Sequence, residues 1–336
     1  MITVTSTPNI AFIKYWGNRH QELRLPTNDS LSMTLDSPIV EVSIEETNTF
    51  SVTSNKELTK KDQARLKIHR ELAHRYLTSL QPEYALPTVS VSITSQVPAG
   101  IGLASSAAIF SGITKAYAEL LAQKGVHLTN EQVSIMARLG SGSACRSIHG
   151  GFVAIHAGLS DSIDAAIAVQ IADEHHWKLH NVVIAPSLQE KKYGSSEGHQ
   201  IAHTSPFFTE RLQKLSKRQQ ECIDAICHKD FEKLQHVTEE DAWNMHKIAE
   251  TSTPSLCYLT QETYRITQEV AQLRTEKHLP VLFTMDAGPT VHLICTEEAC
   301  ADIREYAHQQ TGCAIFETKV GTGAQRKAAK HETWQL

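Results

Sequence analysis

A strand that runs into Pro98-Ala99-Gly100-Ile101-Gly102-Leu103-Ala104-Ser105-Ser106-Ala107-Ala108, and out into an alanine-rich helix, constrains this chain more than any other feature. Val89–Thr94 alternates apolar and polar residues as a strand does, and Ala107–Lys124 reads as a long helix. Gly100 and Gly102 let the backbone turn tightly between them. Leu103 to Ala107 then offer free N–H groups, with the Ser105 and Ser106 hydroxyls, at the positive end of a helix dipole, which is a cradle for a polyphosphate. The G-K-[ST] ending of a Walker loop is missing. Taken alone, such a turn is more often a plain strand-to-helix connection.

Strands are expected at Ile2–Thr5, Ile39–Ser43, Phe50–Thr53, Phe152–Ile155, Ala166–Ile171, Asn181–Ile184, Val281–Thr284, Val291–Cys295 and Ala314–Phe316. Helices are expected over 57–80, over Asn130–Leu139 with Asn130 as cap, from Ser205 to Ala249 and from Gln261 to Thr275. Strands and helices are mixed without strict alternation, which predicts an α+β fold. At 336 residues the chain has room for two domains. The His, Lys, Gly and Ser cluster over 175–205 puts the division there, giving residues 1–185 and 186–336.

With 32 Lys+Arg against 37 Asp+Glu, the net charge of −5 argues against a nucleic-acid binder. No apolar run approaches the ~18 residues of a membrane span, and the first residues lack a signal peptide's basic and apolar regions, so a soluble cytoplasmic protein is expected. The 7 cysteines form no C-x-x-C pair and read as buried thiols. The 18 histidines include no H-E-x-x-H, and no metal ligands can be assigned.

Three further segments carry chemistry. Leu139-Gly140-Ser141-Gly142-Ser143-Ala144-Cys145-Arg146 sets hydroxyl donors beside an arginine, which suits a carboxylate or phosphate, or else is a solvated loop. Asp286 interrupts the apolar run Phe283-Thr-Met-Asp-Ala-Gly-Pro, as a turn cap or as a functional acid. Lys14 sits beside Tyr15 and Trp16 in Asn9-Ile-Ala-Phe-Ile-Lys-Tyr-Trp-Gly17, where it either snorkels outward or faces a site.

Together, the phrases N-I-A-F-I-K-Y-W-G, L-P-T-N-D-S-L-S-M-T-L-D, G-L-A-S-S-A-A, R-L-G-S-G-S-A-C-R-S, F-T-M-D-A-G-P and K-V-G-T-G-A-Q resemble the GHMP kinase superfamily, in its mevalonate diphosphate decarboxylase branch. The resemblance spans residues 4 to 325. It implies a GHMP kinase fold, with a ribosomal-protein-like N-terminal domain, a C-terminal α/β sandwich and a cleft between them. It implies phosphorylation of a tertiary 3-hydroxyl by Mg-ATP, followed by loss of phosphate and CO₂ to leave an alkene. By resemblance Asp286, Lys14 and Arg146 are catalytic. Pro98, Gly100, Gly102, Leu103, Ala104, Ser105, Ser106 and Ala107 hold ATP, and Tyr15, Asn18, Ser141, Ser143 and His199 meet the substrate. The branch is commonly homodimeric.

Two departures stand out. The family phrase K-Y-W-G-K here ends in Asn18, and Ser195–Ser205, with Glu197, His199 and His203, departs from G-M-x-x-T-x-x-T-S. Both fall where the substrate's 5-phosphate end is expected. They point to (R)-5-phosphomevalonate as substrate and isopentenyl phosphate as product, with diphosphomevalonate decarboxylation as the alternative. A mevalonate 3-kinase and a non-catalytic GHMP-type sensor rank below both, because Asp286 and the phosphate turn are retained.

Overall fold

The computed structural model describes residues 1–97, 105–186 and 193–328. The chain opens with β1 (Ile2–Ser6), β2 (Asn9–Ile13), the short β3 (Asn18–His20) and β4 (Leu25–Pro26), β5 (Ser30–Thr34), β6 (Val40–Glu46) and β7 (Ser51–Ser54). Then follow α1 (Lys60–Leu80), β8 (Val89–Ser95), α2 (Ser105–Gln123), α3 (Asn130–Gly140), β9 (Phe152–His156), β10 (Ile167–Ala172) and β11 (Leu179–Ala185). The remainder is α4 (Ser195–Ile201), α5 (Phe208–His228), α6 (Phe231–Thr251), α7 (Gln261–Lys277), β12 (Val281–Met285), β13 (Val291–Thr296), α8 (Cys300–His308), β14 (Ala314–Lys319) and β15 (Gln325–Arg326).

The strands form a five-stranded sheet in the order β15-β1-β6-β8-β7, two four-stranded sheets, β10-β9-β5-β2 and β12-β13-β11-β14, and the β3–β4 hairpin. All pairings are antiparallel except β7 with β8. The period-2 pattern of β8, buried at Val89, Val91 and Ile93, gives the first sheet one packed face and one wet one. By contrast β2, β5 and β12 are buried at every position, so the sheets they belong to are covered on both faces. Helix α6 packs on both β2 and β12. These are the edge strands of their two sheets, and the Thr284 hydroxyl donates to the Ala11 carbonyl between them at 3.5 Å. The active-site candidates Lys14 and Asp286 leave the ends of these two strands.

The α+β class and two-part build expected from the sequence are present, with local differences. Thr129, not Asn130, caps α3, in a capping box with Gln132. The helices expected from 205 to 249 are chiefly α5 and α6, divided where Lys229 turns left-handed (φ 57°) and Asp230 caps α6 by accepting from the Lys233 N–H. Helices α4 and α8, the strands β2 and β5 and the short strands β3, β4 and β15 lie outside the sequence expectation. Strand β11, placed before the 185/186 division, is an inner strand of the sheet formed with β12, β13 and β14, while β15 returns to pair with β1. Cys145, Cys222, Cys295 and Cys300 are buried as expected, but Cys227 and Cys257 are exposed. Among the described residues no helix is long and apolar enough to cross a membrane.

Candidate active site

Lys14 does not snorkel outward. It is buried, and its Nζ lies 2.7 Å from Asp286 Oδ1. Its backbone is held as firmly as its side chain: Lys14 N–H donates to Asp241 Oδ2 at 2.7 Å, and the Lys14 carbonyl accepts from Asn28 Nδ2 at 3.0 Å and from Arg211 Nη2 at 3.2 Å. Burial pulls the Lys14 ammonium below its ordinary range, and Asp286 only partly restores it. For Asp286, burial pushes the carboxyl up, but Lys14, His292 and Arg146 outweigh it and hold the group below its ordinary value. The result is an ionised carboxylate beside a positioned ammonium. That pair can accept a hydroxyl's proton and steady an anion next to it.

Arg146 lies in a 3-10 turn, Ala144–Ser147, and is buried without an ion pair among the described residues. Its guanidinium donates to Ser32 Oγ (2.9 Å), Ser30 Oγ (2.6 Å) and Asn9 Oδ1 (3.2 and 3.3 Å). Asn9 in turn donates to the Ser143 carbonyl at 3.0 Å and to Ser147 Oγ at 2.8 Å. Neutral acceptors therefore orient a full positive charge with no carboxylate in direct contact, which suits it to grip an anion.

The cavity containing these groups has a volume of about 550 Å³. Among the described residues, Lys14, Arg24, Lys61, Arg65 and Arg146 line it against the carboxylates Asp62 and Asp286 alone. Ser105 and Ser106 reach it at the start of α2, and Ser106 Oγ lies 3.0 Å from Ser141 Oγ on the opposite turn. Ser141, Gly142 and Ser143 line it as well. Ala107 is buried in α2, while Pro98, Gly100, Gly102, Leu103 and Ala104 lie outside the described residues.

Tyr15 stacks on His199, with ring centroids 4.1 Å apart, and both line the cavity. His199 Nδ1 accepts the Gly17 N–H at 3.1 Å. Burial, helped by Arg24, Arg146 and Arg65, pushes His199 down to about 3, so the ring is neutral at physiological pH. Asn18 differs from the expectation of a substrate contact. Its side chain accepts from the Tyr15 hydroxyl and donates to Gln21 Oε1 at 2.9 Å, and it does not line the cavity. His203 is exposed, and Glu197 lies 3.7 Å from Lys61.

Sequence reasoning assigned no role to Asn9, Asn28, Ser30 or Ser32, although all lie inside the quoted phrases, nor to Asp241 and Arg211 on α6 and α5. Of the basic residues on α1, Arg70 donates to Thr88 Oγ1 (2.9 Å) and Arg75 pairs with Glu22 (3.2 Å). Lys61 and Arg65 are the ones that face the cavity.

A diphosphomevalonate decarboxylase-like N-terminal domain matches residues 6–166, and a mevalonate 5-diphosphate decarboxylase C-terminal domain matches residues 181–333. The diphosphomevalonate decarboxylase of Candida albicans is 34% identical over 321 residues, covering 89% of this chain and 85% of the relative. That of Rattus norvegicus is 32% identical over 326 residues, covering 90% and 78%. Among solved structures, mevalonate diphosphate decarboxylase from Staphylococcus aureus superposes with a TM-score of 0.86 at 28% identity, over 97% of this chain and 98% of that one. A complex described as MDDEF with MVAPP, AMPPCP and magnesium gives 0.85 at 27% identity, over 98% and 99%. The fold is therefore that of the GHMP kinases, carrying a cleft lined by cationic and hydroxyl side chains. Within that class the chain belongs to the diphosphomevalonate decarboxylase family, whose members are ATP-dependent carboxy-lyases.

Proposed function

We propose that this chain uses Mg-ATP to decarboxylate mevalonate 5-diphosphate to isopentenyl diphosphate, releasing ADP, phosphate and CO₂. The observation that carries this reading is the Lys14–Asp286 pair at 2.7 Å, in one cavity with the Arg146 guanidinium, which has no carboxylate in direct contact among the described residues. Asp286 orients the 3-hydroxyl and takes its proton as the γ-phosphoryl group arrives. Lys14 offsets charge on that carboxylate and on the transferring group. Arg146 holds the substrate carboxylate. When the C–C bond to that carboxylate breaks, its electron pair forms the alkene and the C–O bond leaves with phosphate, so no redox partner is needed.

The residues present fit a nucleotide. Ser105 and Ser106 stand at the N-terminus of a 19-residue helix, where the dipole favours anions, and the cavity's cations outnumber its carboxylates. No cluster of three metal-ligating side chains occurs among the described residues. Mg²⁺ would therefore sit mainly on the nucleotide's phosphates, with the Ser105 and Ser106 hydroxyls beside it. There it would neutralise phosphate charge.

Support for the diphosphate comes from the names of the relatives. One observation favours a second reading, phosphomevalonate converted to isopentenyl phosphate: Asn18 is neutral, and its amide is spent on Tyr15 and Gln21. The test is CO₂ release with Mg-ATP and each substrate separately at matched concentration. Higher kcat/KM for the diphosphate supports the first reading, higher kcat/KM for the monophosphate the second, and no CO₂ from either overturns both.

A further inference from the structure

Between β3 and β4 the chain turns at Arg24, which adopts a left-handed conformation (φ 51°) and whose N–H donates to the Gln21 carbonyl at 3.3 Å. A long side chain is seldom found there, whereas Gly or Asn enters at little cost. The Arg24 side chain lines the cavity, half-buried, and makes no hydrogen bond or ion pair among the described residues. Desolvation without a partner is unfavourable for a guanidinium.

Its surroundings sharpen the point. Arg24 is close enough to disfavour the charge on Arg65, which among the described residues donates only to the Gly140 carbonyl, at 2.9 Å. The Asp62 carboxylate nearby is taken up by the Thr59 N–H and hydroxyl, at 3.0 and 2.6 Å. Lys61 has Glu197. Arg24 and Arg146 both act electrostatically on Tyr15 and His199, and all four line the one cavity that also holds Lys14 and Asp286. A substrate whose hydroxyl and carboxylate meet Asp286 and Arg146 has the Arg24 guanidinium in the same cavity for its far end.

We propose that Arg24 binds the terminal phosphoryl group of the substrate and sets the affinity for it. This rests on the function proposed above, in that the substrate carries a phosphoryl group at its far end. An anion there satisfies the free guanidinium and relieves its repulsion with Arg65.

The test is Arg24→Asn, which keeps a residue at ease in the left-handed turn, with Arg24→Lys as the charge-retaining control. For the phosphorylated mevalonate the enzyme turns over, KM should rise about 10- to 100-fold in Arg24→Asn, as expected for a lost charged hydrogen bond. The kcat and the KM for ATP should stay within about twofold, and Arg24→Lys should recover part of the loss. An unchanged substrate KM, or an equal rise in the KM for ATP, overturns the assignment. Calorimetric titration with inorganic pyrophosphate separates this from the functional reading. If the wild type turns over neither substrate, pyrophosphate binding that weakens in Arg24→Asn still supports the site, and equal or absent binding overturns it.

Discussion

The backbone N–H of Lys14 donates to the carboxylate of Asp241 at 2.7 Å, with both residues buried. Asp241 also accepts from Arg211 Nη1 and Nη2 at 2.9 and 3.1 Å and from Arg218 at 3.5 Å, and Arg211 returns to the Lys14 carbonyl. A charged brace between α5 and α6 thus sets the backbone from which Lys14 reaches Asp286.

Replacing Asp241 by Ala strands Arg211 without a counter-charge in a fully buried place. Breaking such a pair costs about 3–5 kcal/mol. Urea unfolding should show a loss of that order, and any folded Asp241→Ala protein should have reduced kcat because Lys14 is no longer held. A loss below about 1 kcal/mol would show that the brace does not carry the strand end.

Asp286→Asn keeps the shape of the site but removes the proton acceptor. Loss of a positioned acid–base group lowers turnover by about 10²- to 10⁴-fold. Both ADP and CO₂ formation should fall together by at least that factor, with substrate binding by calorimetry largely kept. ADP formation at the wild-type rate would remove Asp286 from the phosphoryl-transfer step.

Gly142 is placed where a Cβ would come within 2.3 Å of the Tyr15 ring. That ring cannot simply swing aside, because His199 stacks on its face. Gly142→Ala should cost about 1–3 kcal/mol, as overpacking does. A kcat/KM reduced about 5- to 100-fold is the expected result, and wild-type kcat/KM would mean that Tyr15 has room to move.

The pH profile follows from His199. Because its pKa is pushed down to about 3, the ring stays neutral as pH falls through the ordinary histidine range near 6.5, and no protonation occurs there. Asp286, held below its ordinary value, likewise stays ionised across that range. With saturating substrates, kcat should show no inflection near pH 6.5 that disappears in His199→Phe. Such an inflection would mean that His199 titrates in the working enzyme.

Much of this site is legible in the sequence, because Lys14, Arg146 and Asp286 each stand in short, distinctive phrases at strand or turn ends. Asp241 and Arg211 are not legible in the same way. Each sits in an amphipathic helix among Glu, Lys and Gln, and a charged residue there looks like the solvent face until packing against β2 buries it. Arg24 escapes notice for a different reason: strands of two and three residues leave no periodicity to read. The helix break at Lys229 is equally hidden, since a left-handed lysine has no compositional signal. Asn18 shows the opposite failure, as the sequence departure is plain but the side chain points to Tyr15 and Gln21.

The most direct measurement follows ADP and CO₂ together in one reaction with Mg-ATP and a 5-phosphorylated mevalonate. Decarboxylation coupled to phosphoryl transfer predicts one CO₂ for each ADP throughout the time course, and both products should fall together by at least about 10²-fold in Asp286→Asn. Steady ADP without CO₂ would contradict it and leave a kinase that stops at the 3-phosphate.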